Sequence, residues 1–213
     1  MKKVVLIGDV ISSKEIPNRG AAQRKINSAL KKINGQSRSG LISPYTITLG
    51  DEFQSVYENA DSILYDIFAL MEYVYPIKIR FSLGVGKIST QINREMALGM
   101  DGTAFHFARQ GIDELKDLDK YSINISGELR EQNSIIKNVL FYISSVIGSW
   151  HLNRLKVLNL LLKGTEIAQA ANKLKISRTA VYKNIEAGDI YLLINIINDI
   201  STIIDKNLKG SRK

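Results

Sequence analysis

Apolar residues recur along this chain with two different periods, and each change of period marks a new element. Residues 3–8, KVVLIG, form a short continuous apolar run rich in β-branched side chains. That is the signature of a buried strand, and it ends at Asp9. After Pro17 the spacing becomes helical over 19–33, with Asn18 placed to cap. YTIT (45–48) and FQSVY (53–57) then flank Gly50-Asp51, a dipeptide that commonly closes hairpins. A helix is predicted over 61–74, where Ile63, Leu64, Ile67, Phe68 and Met71 share a face. An alternating strand (77–86), a helix (102–116) and a last strand (121–126) follow. Strand, helix, strand, strand, helix, strand is the split βαβ plan, so the expected class is α+β with a ferredoxin-like palm and a helical layer on one face.

Beyond the palm the period stays helical. An apolar helix is followed by TEIAQAANKL with Thr165 as cap, a short turn, and SRTAVYKNI with Ser177 as cap. This is a helix-turn-helix pattern, with Ile167, Ala168, Ala171, Leu174, Ile176, Val181 and Ile185 as its expected core. Its second helix would offer Ser177, Arg178, Thr179, Tyr182 and Lys183 to a DNA groove, Arg178 and Lys183 reaching bases or phosphates. A three-helix bundle without a DNA role gives the same pattern. The last helix, near 189–208, carries an apolar stripe that either pairs with its copy in a homodimer or covers the bundle. The expected division is a palm over 1–127, a connecting helix over 128–150 and an all-α helix-turn-helix domain over 151–213.

Charge sharpens the second half of this picture. The net charge is +8. Residues 1–150 hold 18 Lys and Arg against 16 Asp and Glu, whereas 151–213 hold 11 against 5. The excess lies within 154–183, where Arg154, Lys156, Lys163, Lys173, Lys175, Arg178 and Lys183 face the single acid Glu166. Such a local excess suits a binder of the phosphate backbone, although a solvated lysine-rich face has the same composition. The absence of cysteine excludes disulfides, thiolate metal sites and cysteine nucleophiles. The apolar N-terminal run is too short for a signal-peptide core, and the last helix is interrupted by Asn195, Asn198 and Asp199. A cytoplasmic chain with no membrane segment is expected.

The candidate chemistry lies in two carboxylates. In the split βαβ plan the first strand and the hairpin are neighbours, so Asp9 and Asp51 would share one site. Paired carboxylates repel unless a cation lies between them, and Mg²⁺ (or Mn²⁺) is typically held by one or two carboxylates with phosphate oxygens and water. A nucleoside triphosphate or related nucleotide is the natural partner. Ser12, Ser13 and Lys14, in the loop after Asp9, offer hydroxyls, backbone N–H groups and a charge suited to phosphate. Glu52 is either a third ligand or a residue facing water. The plain alternative is a capping box at Ser12 and Glu15, with Asp51 serving only its turn.

The segments LIGDVISS, TLGDEFQSV, IRFSLGVGKIS and GMDGTAFHFARQ resemble, in order and approximate spacing, landmarks of class III nucleotidyl cyclases and the related GGDEF palm domains. The whole arrangement, C-terminal part included, more closely resembles the SatD family of bacterial proteins. The cyclase resemblance implies that Asp9 and Asp51 hold metal ions for in-line attack on a triphosphate. It also marks departures. Counted from Gly102, His106 stands where cyclases carry a transition-state asparagine, Gln110 stands where an arginine follows, and Arg109 lies one place earlier. The base-selecting aspartate falls near Gly99, with Asp101 two residues on. His106 could contact phosphate or ribose and Arg109 could clamp phosphate. Two function classes follow: a regulator that binds DNA and a metal-nucleotide, or an active nucleotidyl cyclase or nucleotide-joining enzyme.

Overall fold

The computed structural model describes residues 1–36, 39–129 and 132–209. Strand β1 (Lys2–Val10) is buried on both sides, as its unbroken apolar run requires. Its alternate residues go to opposite faces: Val4, Leu6 and Val10 join one apolar cluster, and Val5 and Ile7 join another. Around it the sheet is ordered β2-β3-β1-β4-β5, with β2 at Leu41–Ile47, β3 at Glu52–Tyr57, β4 at Ile79–Lys87 and β5 at Ile123–Gly127. Each of the first four strands is antiparallel to its neighbours among them, which completes the ferredoxin-like plan, and β5 adds to β4 in parallel.

Two departures from the expected elements have physical causes. Strand β2 begins at Leu41, four residues before Tyr45, because its pairing with β3 shifts register on either side of Ser43, next to Pro44, and breaks the period-2 signal. The helical layer also covers both faces. Helices α1 (Arg19–Asn34) and α2 (Ile63–Val74) pack on the Val4 side, and α3 (Thr103–Leu118) lies on the Val5 side.

Helix α3 sits unusually close to β4 because glycine lines the contact. A Cβ added to Gly84 would lie 2.0 Å from the Ala104 carbonyl oxygen, and one added to Gly111 would lie 2.1 Å from the Ser82 hydroxyl. Ala104, Ala108 and Ile112 fill the remaining space against Val5 and Ile7. This close seat brings Arg109 and Lys116 of α3 within reach of Glu52 and Asp9 at the end of the sheet.

Five further helices follow: α4 (Asn133–Ile147), α5 (Leu152–Leu162), α6 (Ile167–Leu174), α7 (Arg178–Ala187) and α8 (Ile190–Lys209). They extend the α2 side of the palm, and a single apolar cluster runs from Val4 and Leu6 through Phe68 and Leu158 to Ile197 and Ile204. Polar ties accompany it. The buried Asn159 amide donates to the Phe68 carbonyl (3.0 Å) and to Glu72 (2.8 Å), and the Ala60 amide donates to Asp205 (2.6 Å). The stripe of α8, including Ile190, Leu193, Ile197, Ile200, Ile204 and Leu208, is buried within the chain. Residues 130, 131 and 210–213, which fall in the expected connecting and C-terminal segments, lie outside the described residues. No single helix among the described residues is long and apolar enough to cross a membrane.

Candidate functional site

Asp9 lies near the end of β1, and strand register fixes its neighbours. It stands opposite Glu52 on β3 and opposite Arg80 on β4. The Val10 amide donates to the Asp51 carbonyl (3.3 Å), tying the hairpin tip to the end of β1. Asp9 is 8% exposed, and two cations approach it: Lys116 Nζ at 3.6 Å and Arg80 Nη1 at 3.8 Å. Burial pushes the Asp9 carboxyl above its usual range. Lys116 and Arg80 pull it back, while Asp51 and Glu52 add repulsion. The ionised form of Asp9 is therefore held against a net penalty, beside a second acid.

The hairpin tip is a turn closed from the Glu52 amide to the Leu49 carbonyl (2.9 Å), and Gly50 supplies its positive φ of 56°. Next to it the loop after β1 turns sharply. Ser12 adopts a left-handed conformation (φ 49°), uncommon for a residue with a Cβ, and a short 3₁₀ turn follows over Ser13–Glu15. That turn aims the Ser13 hydroxyl at Asp51, to which it donates a hydrogen bond. The Ser12 side chain makes no capping bond, so the capping-box alternative is not realised. Lys14 is exposed beside the loop.

Glu52 neither faces water nor stands free. Arg109 forks onto it, with Nη2 at 2.5 Å from Oε1 and Nη1 on Oε2, and the Thr48 hydroxyl donates to Oε1 at 3.1 Å. The hydrogen bond to Glu52 raises the Arg109 pKa further still, overcoming the opposing effect of partial burial. Arg109 thus reaches the site through Glu52. His106, by contrast, is 74% exposed at its side chain and pairs with Asp101 (3.2 Å) on the outer surface of α3.

Three residues of the site were not anticipated from sequence. Lys116 lies seven residues after Arg109, two helical turns along one face, a spacing readable in advance. Arg80 falls on the polar side of the alternating strand with Lys78 and Ser82, a pattern that points to solvent, so its burial gave no signal in the sequence. Asp119, which accepts from Arg80 Nη2 at 2.6 Å, had no local signal.

Among the described residues no group of three or more His, Asp or Glu side chains is arranged to hold a metal. The donor set that remains is Asp9 and Asp51, with Glu52 committed to Arg109. Two carboxylates in mutual repulsion fit a hard cation such as Mg²⁺, which completes its shell with phosphate oxygens and water.

In the C-terminal helices, α6 and α7 are joined by a turn at 175–177, Lys175 taking the left-handed conformation (φ 55°). Ser177 caps α7, its side chain accepting from the Ala180 amide at 3.1 Å. Thr165 does not cap α6; Glu166 occupies that position without a side-chain capping bond, because the Thr165 amide is drawn back to the Leu160 carbonyl. Ala171, Val181 and Ile185 are buried as expected, Ile167, Ala168, Leu174 and Ile176 are half-buried, and Ala170 is fully buried. Ser177, Arg178, Thr179, Tyr182 and Lys183 are all exposed. Lys156, Lys163, Lys173 and Lys175 surround a cleft of about 350 Å³ together with Lys32 of α1, and Glu72, an acid in its wall, is bonded to Asn159.

The family model described as SatD family matches residues 3–204. Among solved structures, one of a bacterial light-regulated adenylyl cyclase is 13% identical, covers 59% of this chain and 75% of that chain, and has a TM-score of 0.41. A second structure of a bacterial light-regulated adenylyl cyclase, also 13% identical, covers 59% and 43% at a TM-score of 0.39. A regulator of polyketide synthase expression from Bifidobacterium adolescentis, 13% identical, covers 95% and 86% at a TM-score of 0.24. No curated protein matches the chain.

Proposed function

Starting from a chain that belongs to the SatD family, we propose that it is a regulatory protein whose palm binds a metal-nucleotide and whose α6–α7 pair binds DNA. The observation that carries the first half is the meeting of Asp9 and Asp51 at one end of the sheet, where Ser13 donates to Asp51 and the exposed Ser12 and Lys14 of the same loop suit phosphate. A bound Mg²⁺ would neutralise the carboxylate pair and the phosphate oxygens together. The protein's own contribution is to hold the two acids close, with Lys116 and Arg80 beside Asp9 to moderate the charge. For the second half the support is the exposure of Ser177, Arg178, Thr179, Tyr182 and Lys183 on α7, together with a lysine-lined cleft formed by α1, α5 and the end of α6.

An active nucleotidyl cyclase or nucleotide-joining enzyme would use the same two carboxylates. Two observations favour binding over catalysis: Arg109 is spent on Glu52, and His106 is spent on Asp101 at the outer surface. Both readings meet one experiment. The purified protein is incubated with each nucleoside triphosphate and Mg²⁺ or Mn²⁺, products are separated by chromatography, and binding is followed by calorimetry. Binding without a product, lost in Asp51→Asn, is the expected result; a cyclic or linked nucleotide that disappears in that variant establishes the enzyme instead. Arg178→Ala with Lys183→Ala should leave nucleotide binding intact. It should weaken DNA binding and reduce the slope of affinity against salt by about 1 for each DNA phosphate that is no longer neutralised. DNA affinity unchanged by that pair would remove the recognition-helix assignment.

A further inference from the structure

A cavity of about 360 Å³ opens immediately beyond the end of β1, with Ile11 and Ser12 in its wall. It therefore adjoins the edge that carries Asp9, and a hydrogen bond from the Ile11 amide to the Lys78 carbonyl (2.9 Å) joins two residues of its wall. Its character differs from that of the acidic edge. Tyr75, Tyr121 and Trp150 line it, reached from the end of α2, the approach to β5 and the end of α4. The rings are held in place: Tyr121 stacks on Phe141 with centroids 4.5 Å apart and planes 2° from parallel, and the Arg154 guanidinium lies 5.5 Å from the Trp150 ring centroid. Sites for small organic ligands are concavities of roughly 300–1,000 Å³ with mostly apolar walls and a few polar groups. Here the polar side chains are those of Ser12, Lys78, Asp119, Lys120, Ser122 and Ser144.

The cavity and the acidic edge are joined by one side chain. Arg80, buried in β4, donates to Asp119 at 2.6 Å on the cavity side and lies 3.8 Å from Asp9 on the other. Its Nε is buried and has no hydrogen-bond partner among the described residues. A ligand consisting of phosphate alone has no use for three aromatic rings, whereas a flat heteroaromatic ring gains from them in proportion to the area it buries and the stacking it achieves. We infer that this cavity receives the base of the nucleotide whose phosphates lie at Asp9 and Asp51. This assignment rests on the metal-nucleotide reading given above, and it adds that recognition is divided between an aromatic chamber for the base and an acidic, cation-bearing edge for the phosphates.

The chain carries its own reporter, because Trp150 is its single tryptophan. Trp150 emission is followed while the protein is titrated with free nucleosides, with nucleoside triphosphates plus Mg²⁺, and with inorganic tripolyphosphate plus Mg²⁺; calorimetry is run in parallel. The expected result is quenching by at least one nucleoside without metal, and by its triphosphate at tenfold or more lower concentration. Tripolyphosphate should bind without quenching. Asp51→Asn should reduce the triphosphate to the affinity of the nucleoside, and Ile77→Phe, which narrows the cavity, should abolish both signals while the far-ultraviolet circular dichroism stays unchanged. Calorimetric binding of triphosphates that leaves Trp150 emission unmoved, and that Ile77→Phe does not weaken, would overturn the base assignment and leave the nucleotide reading standing. No calorimetric binding of any nucleotide would overturn both.

Discussion

Asp9 is the residue on which stability and function pull in opposite directions. Burial raises its carboxyl pKa in the folded chain, so the ionised form is favoured more in the unfolded chain. The destabilisation is present above the raised folded value, and it disappears as pH falls to the ordinary aspartate range. Asp9→Asn should therefore raise the thermal midpoint at neutral pH and lose that advantage as the solution is acidified toward pH 3.8, while metal-dependent nucleotide binding is lost. Melting curves of both proteins across pH test this; a variant less stable at neutral pH would mean that Lys116 and Arg80 overcompensate for burial. The meeting of Asp9 with Asp51 was legible in the sequence because strand order alone brings the two together. The Glu52–Arg109 fork was not, because it joins residues 57 apart in sequence through the seating of a helix on a sheet.

That seating belongs to the scale of elements. The contact between α3 and β4 depends on Gly84, where a Cβ would meet a backbone oxygen that has nowhere to move. Gly84→Ala should cost on the order of 1–3 kcal/mol in urea unfolding, as overpacked cores do. It should also weaken nucleotide binding, because lifting α3 carries Lys116 and Arg109 away from the carboxylates. Normal affinity in a destabilised variant would show that α3 does not tune the site. Helix and strand periods were legible wherever an element had one apolar side, as in α1. They failed at β2, where Pro44 and a shift of register interrupt the alternation, and at Thr165, whose side chain suits a cap but whose backbone closes the preceding turn. Cover on both sheet faces was also readable, in the unbroken apolar run of β1.

At the scale of the whole molecule, palm and C-terminal helices share a continuous apolar interior, cross-tied by Asn159 and Asp205. Unfolding should accordingly be a single cooperative transition, with Trp150 emission and far-ultraviolet circular dichroism coinciding along a urea titration. Separate transitions would show that the two parts are energetically independent. The sequence divided the chain by function, with charge balance as a guide, but charge lies on the surface and says nothing of how the interior is shared. Asn159 carries a consequence for descent. A recombination that joined this palm to some other C-terminal unit would take from the Phe68 carbonyl its second donor and leave the Glu72 carboxylate without the amide that bonds it. Such halves are expected to be inherited together and exchanged rarely, one lineage rather than two modules in trade.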